Sequence, residues 1–94
     1  MSNQMTFSSL HFAVLNTLNH LTMDGAKVDL TAPFAELAKV DFKRHKEDDA
    51  LPYATVHFPV RRKGKRKDEM AHLTVWDHRE ESGVGNWEAN CYVL

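Results

Sequence analysis

The chain has 94 residues, 43% of them apolar and 27% charged, with a net charge of −1 and one cysteine. A chain this short closes a single hydrophobic core, so one domain spanning residues 1–94 is expected. Disorder and fibrous classes are excluded by the balanced composition. The lone Cys91 cannot form an internal disulfide, no basic region leads into an apolar stretch at the N-terminus, and no apolar run approaches the roughly 18 residues of a membrane span. These features predict a cytoplasmic protein with no membrane partner.

The net charge conceals a separation. Arg61, Arg62, Lys63, Lys65, Arg66 and Lys67 place six of the twelve basic residues within seven positions. The rest of the chain then has six Lys and Arg against thirteen Asp and Glu, a balance of −7. An acidic body carrying a basic finger orients encounters with a charged partner and differs from the general basicity of nonspecific nucleic-acid coats.

In chain order, Phe7, Leu10, Val14, Leu18 and Leu21 recur at spacings of three and four, with Leu15 beside them, and predict an amphipathic helix over about 7–21. Thr6 or Ser8 is the expected cap, and Phe12 falls on the polar side. Asp24-Gly25 is a turn signal that ends this helix, with a small hairpin as the less favoured alternative. Thr31-Ala32-Pro33 reads as the start of a second helix over about 32–42, capped by Thr31, with Phe34, Leu37 and Ala38 facing the core. Glu47, Asp48 and Asp49 would fray its continuation, because acidic groups oppose the carbonyl end of a helix dipole. Leu51-Pro52 marks the boundary.

From Tyr53 the period changes to two. Ala54, Val56, Phe58 and Val60 alternate with Tyr53, Thr55, His57 and Pro59, while Ala71, Leu73 and Val75 alternate with His72, Thr74 and Trp76. A reversal at Gly64-Lys65 sets Phe58 against Ala71, Val56 against Leu73 and Ala54 against Val75 on one face. On the other it sets His57 against His72, Thr55 against Thr74 and Tyr53 against Trp76. Strands are therefore expected over about 53–61 and 69–78, with Pro59 at a sheet edge or a bulge. A loop over 82–86 precedes a third strand, 87–93, whose Trp87, Ala89, Cys91 and Val93 alternate with Glu88, Asn90 and Tyr92. The expected architecture is α+β, a two-layer ααβββ domain with two N-terminal helices on a three-stranded antiparallel meander.

For function, the basic tip is the least accidental feature, because six adjacent like charges oppose folding unless solvent or a partner compensates. Beside it the outward sheet face offers Tyr53, Thr55, His57, His72, Thr74, Trp76, Asn90 and Tyr92. Cations next to aromatic rings suit phosphates and unpaired bases. The expected partner-binding set is Arg61, Arg62, Lys63, Lys65, Arg66, Lys67, Tyr53, His57, His72 and Trp76. Nucleic acid is the first candidate partner; the alternative is a small phage-type regulator or inhibitor that binds an acidic surface of a larger nucleic-acid-processing protein. Blander readings are a solvated turn, a Tyr53–Trp76 pair serving the sheet alone, or a localisation signal.

No catalytic residue, cofactor or metal site is expected. His57 opposite His72 offers two imidazoles, but structural zinc sites show closely spaced cysteines and histidines that are missing here. Cys91 alternates with core residues, Glu47-Asp48-Asp49 and Glu80-Glu81 fall in solvated segments, and there is no glycine-rich phosphate loop. A winged-helix DNA reader shares the order of helices and basic hairpin, but Phe42–Ala50, its only candidate recognition helix, ends in acidic residues and lacks an apolar stripe.

Overall fold

The computed structural model describes residues 6–43, 51–79 and 86–94. The Ser9 hydroxyl accepts a hydrogen bond from the Phe12 N–H at 3.0 Å and starts α1, Leu10–Met23. A serine oxygen satisfies one of the amide groups that a first helical turn leaves free, so the cap is Ser9 and neither Thr6 nor Ser8. Phe7, expected on the helix stripe, instead adopts extended backbone and bridges to Trp87: its N–H donates to the Trp87 carbonyl at 2.7 Å and its carbonyl accepts from Trp87 N–H at 2.9 Å. Val14 and Leu18 of the stripe are fully buried, together with Ala13 and Thr17. Phe12 stays 60% exposed.

Gly25, at φ +90°, turns the chain out of α1, as Asp24-Gly25 predicts. The sheet has a strand more than the three expected. Lys27–Val28 form a short strand, β1, antiparallel to the end of the next strand, with Lys27 opposite Arg61 and Val28 opposite Val60. Two residues are too few for an alternating pattern to register in a sequence, and β1 stops where Pro59 would be its next partner. In an antiparallel ladder alternate residues bond to alternate sides. The Asp77 N–H to Pro52 carbonyl bond fixes the parity, so Pro59 directs its missing N–H away from the third strand and toward the β1 side. Proline is thus in a position that needs no donor.

The second helix is shorter than expected: α2 covers Ala32–Leu37. Thr31 makes no side-chain cap; its N–H and hydroxyl instead donate to the Asp29 carboxylate, at 2.9 and 2.7 Å. Pro33 and Leu37 are buried and Phe34 packs against the core, whereas Ala38 is exposed because the helix has already ended. The acidic segment expected to fray, and most of the candidate recognition helix, lie outside the described residues.

Strands β2 (Tyr53–Arg61), β3 (Glu69–Asp77) and β4 (Trp87–Val93) complete a four-stranded antiparallel sheet in the order β1-β2-β3-β4. The β2–β3 register is the one that both alternating faces require, from Tyr53 opposite Trp76 to Phe58 opposite Ala71. Helix α1 packs chiefly on β4 and touches β1 and β3 as well, so the sheet curls around it, while α2 packs on β2. Val14, Leu18 and Leu37 meet Ala54, Val56, Phe58, Val60, Ala71, Leu73 and Val75 in one core. At roughly 25 cal/mol per Å² of apolar surface removed from water, Phe58, Leu18 and Leu73 are its largest individual contributors. No described helix is long and apolar enough to cross a membrane.

Candidate partner-binding surface

The β2–β3 turn is built from Arg62 to Lys65. The Lys65 N–H donates to the Arg62 carbonyl at 3.1 Å, and Gly64 takes φ +81°, a conformation that costs little only without a Cβ. All six cations of the tip are exposed. Two of them are matched within the hairpin. Arg61 Nε donates to Asp68 Oδ1 at 3.0 Å, and Arg62 grips Glu69 through two parallel bonds of 2.7 Å. Hydrogen bonding from Arg62, helped by the Lys65 charge, holds the Glu69 carboxyl below its ordinary range, and the same pair pushes the Arg62 guanidinium up. Lys63, Lys65, Arg66 and Lys67 have no carboxylate partner among the described residues.

Lys63 is nonetheless placed. A Cβ added to Gly25 would lie 3.0 Å from Lys63 Cδ, so the aliphatic stem of Lys63 rests on the turn that leaves α1. Leu21, Asp24, Ala26, Arg62, Lys63 and Lys65 together line a pocket of about 240 Å³ between helix end and tip. The cationic loop is thereby seated on the body of the domain.

The outer face of the sheet carries a connected polar and aromatic cluster. His57 Nε2 and His72 Nδ1 are 3.0 Å apart, the second nitrogen of His72 is 3.2 Å from Thr74 Oγ1, and Thr74 Oγ1 is 3.2 Å from Thr55 Oγ1. Tyr92, from β4, stacks on the His72 ring with centroids 4.9 Å apart and planes 23° from parallel. No described helix packs on this face; both helices lie across the inner one. His57 and Tyr92 are exposed, and His72 and Thr74 half-buried. At about 3.3 Å per residue, His57 lies about 13 Å from Arg61, close enough for one ligand to touch both.

Tyr53 and Trp76 oppose each other as expected but sit at the far end of the hairpin, about 26 Å from Arg61 by the same rise. Both are half-buried. The structure brings the tip and the two histidines into one region and leaves this pair apart from it. The far end is also where charge is satisfied internally. His78 Nε2 and Glu88 Oε1 are 2.9 Å apart, with Glu88 only 8% exposed although it belongs to the outer alternation of β4. Arg79 binds Asp77 and lies 4.8 Å over the Trp87 ring; its guanidinium holds the Asp77 carboxyl below the ordinary range. Cys91 is partly buried, and burial pushes its thiol up to about 11, the opposite of an activated nucleophile.

The surface also depends on Asp68, Glu69, Gly25 and Glu88, none of which stands out in the sequence as a site residue. A signal for the first exists: the mirror relation that sets Phe58 against Ala71 also sets Asp68 against Arg61, and cross-strand opposite charges attract. For Gly25 and Lys63 no local signal exists, since their contact depends on how the hairpin lies on α1. The chain matches no protein-family model, no curated protein and no solved structure.

Proposed function

We propose that this domain is a non-enzymatic binding module that lays its basic hairpin tip and the adjoining imidazole- and tyrosine-bearing sheet face on an anionic partner, nucleic acid first. The observation that carries the reading is the incomplete neutralisation of the tip. Asp68 and Glu69 match Arg61 and Arg62, while Lys63, Lys65, Arg66 and Lys67 remain exposed and unmatched among the described residues. Clustered cations that form no ion pair with a carboxylate favour phosphates, whose neutralisation releases condensed counterions. The exposed rings of His57 and Tyr92 beside them suit stacking on unpaired bases, so single strands are favoured over duplex. Trp76 and Tyr53 belong to this surface only for a ligand long enough to run the length of β2 and β3.

The test is titration of labelled single- and double-stranded DNA and RNA at two salt concentrations. Binding at low salt, weakening steeply as salt rises, is expected. Replacing Lys63, Lys65, Arg66 and Lys67 with Gln should lower the slope of log K against log salt by roughly 3 for a single strand, at about 0.7 per phosphate contact. Absence of binding at low salt sinks the nucleic-acid reading.

A second reading is favoured by one specific observation. Arg62 already holds a carboxylate with bidentate geometry, and a carboxylate on an acidic protein surface could be held in the same way. In this reading the domain is a small regulator or inhibitor of a larger protein, and the −7 balance of the remaining chain orients the encounter. Failure of nucleic-acid binding, together with salt-sensitive association with an acidic protein, would select it.

A further inference from the structure

We propose that His57 and His72 form a two-imidazole chelate for a divalent transition-metal ion, copper(II) foremost, on the outer face of the sheet. Their nitrogens, His57 Nε2 and His72 Nδ1, are 3.0 Å apart. Two nitrogens bound at about 2.05 Å to one ion lie about 2.9 Å from each other at a right angle and about 3.3 Å at a tetrahedral angle. The observed separation lies between the two and so admits the geometry of tetragonal copper(II) and nickel(II) with nitrogen ligands. Imidazole also suits these ions, and copper(II) stands highest in the general affinity order.

The surroundings hold one of the two ligands ready. His72 Nε2 lies 3.2 Å from Thr74 Oγ1, and Thr74 Oγ1 lies 3.2 Å from Thr55 Oγ1. In the tautomer with Nε2–H donating to the threonine hydroxyl, the lone pair of His72 is on Nδ1, the nitrogen nearer His57. Such an outer hydrogen bond is what fixes the tautomer of metal-bound histidines. Stacking of Tyr92 on the His72 ring restrains its rotation further. His57 supplies the adaptable half: it is exposed, and its ring turns about a χ2 torsion whose well is broad. In that tautomer and without metal, His57 Nε2–H donates to His72 Nδ1. On binding, the proton of His57 leaves Nε2 for solvent while Nδ1 takes one up, so two neutral imidazoles offer two lone pairs and the proton count is unchanged.

Among the described residues no third histidine, cysteine or carboxylate joins the pair. The ion therefore keeps water in its remaining positions, which disfavours zinc, whose structural sites take four protein ligands. The closely spaced cysteines and histidines that this chain lacks belong to such closed cages; a cross-strand chelate does not need them. The inference is independent of the partner proposed above.

The experiment is calorimetric titration of the full, tag-free chain with copper(II) supplied as its glycine complex, which suppresses weak sites, with electron paramagnetic resonance of the product. One copper(II) per chain with hyperfine coupling to imidazole nitrogen is expected, and zinc should bind more weakly. His57→Gln and His72→Gln should each weaken binding at least tenfold, whereas His11→Gln and His20→Gln, on α1, should not change it. His57 is exposed, so His57→Gln keeps the fold, and circular dichroism of each metal-free variant verifies this. Copper(II) binding of equal affinity in His57→Gln and in the parent chain, or no one-to-one complex in the parent chain, would overturn the proposal.

Discussion

Strands β2 and β3 present two faces made from alternate residues of the same segments. Toward the core they turn Val56, Phe58, Leu73 and Val75, all almost completely buried. Away from it they turn His57, His72, Thr55 and Thr74, whose side chains bond to one another in or near solvent. A one-residue slip would exchange the faces, so the buried set alone fixes the register. The outer residues are then held at defined positions without having to supply the energy that holds them. Hydrogen bonds made in water contribute little net stability. The histidine–threonine arrangement is therefore carried by the fold and is not required for it, which is the condition a binding surface needs.

Substitutions separate the two faces, and the inner one should respond most. Phe58→Ala removes a fully buried ring from the centre of the core and should cost about 3–5 kcal/mol by urea unfolding. In a domain of this size that is a large share of the total stability. His57→Ala, one residue away, should change stability by no more than about 0.5 kcal/mol. Comparable losses at the two positions would mean that the outer face is structural after all.

The next largest effect tests where the outer face stops being open. Glu88 belongs to the outer alternation but is buried against His78. Glu88→Ala deletes a largely buried hydrogen bond and should cost about 1 kcal/mol, and Glu88→Gln, which keeps a bonding group, less. If Glu88→Ala proved as neutral as His57→Ala, the far end of the sheet would be as available to a partner as the tip end.

Legibility in the sequence divides along the same line. The strands β2, β3 and β4 and the β2–β3 register are legible because alternation over seven to nine residues is a signal local to the chain. β1 is illegible because two residues carry no period, and its existence depends on an edge that β2 leaves free up to Pro59. The apolar pattern overstates α2 because Phe34 and Leu37 continue into an apolar Val40, although Ala38 already lies beyond the last helical residue. At the candidate surface, the tip and the opposed histidines are visible from charge and register. The stacking of Tyr92, the seat of Lys63 on Gly25 and the burial of Glu88 are not, since each joins elements whose mutual placement only the folded core decides.

The smallest effect contrasts the two ends by pH. The Asp77 carboxyl is held below its ordinary value of 3.8, first by hydrogen bonding from Arg79, with burial opposing. A carboxyl lowered in the folded state contributes stability that is fully present above the unfolded value and is lost as pH falls through the folded one. Wild-type protein should therefore lose more stability between about pH 5 and about pH 2 than Asp77→Asn does. Glu69 at the tip is lowered in the same direction by Arg62, but that pair is open to solvent, where screening removes most of the benefit. Glu69→Gln should thus flatten the acid profile less than Asp77→Asn, while freeing Arg62 and strengthening attachment to an anionic partner. Urea midpoints across the acid range measure the first effect and nucleic-acid titration the second. A larger flattening by Glu69→Gln would show that the tip pair is part of the framework, and that only Lys63, Lys65, Arg66 and Lys67 are available to a partner.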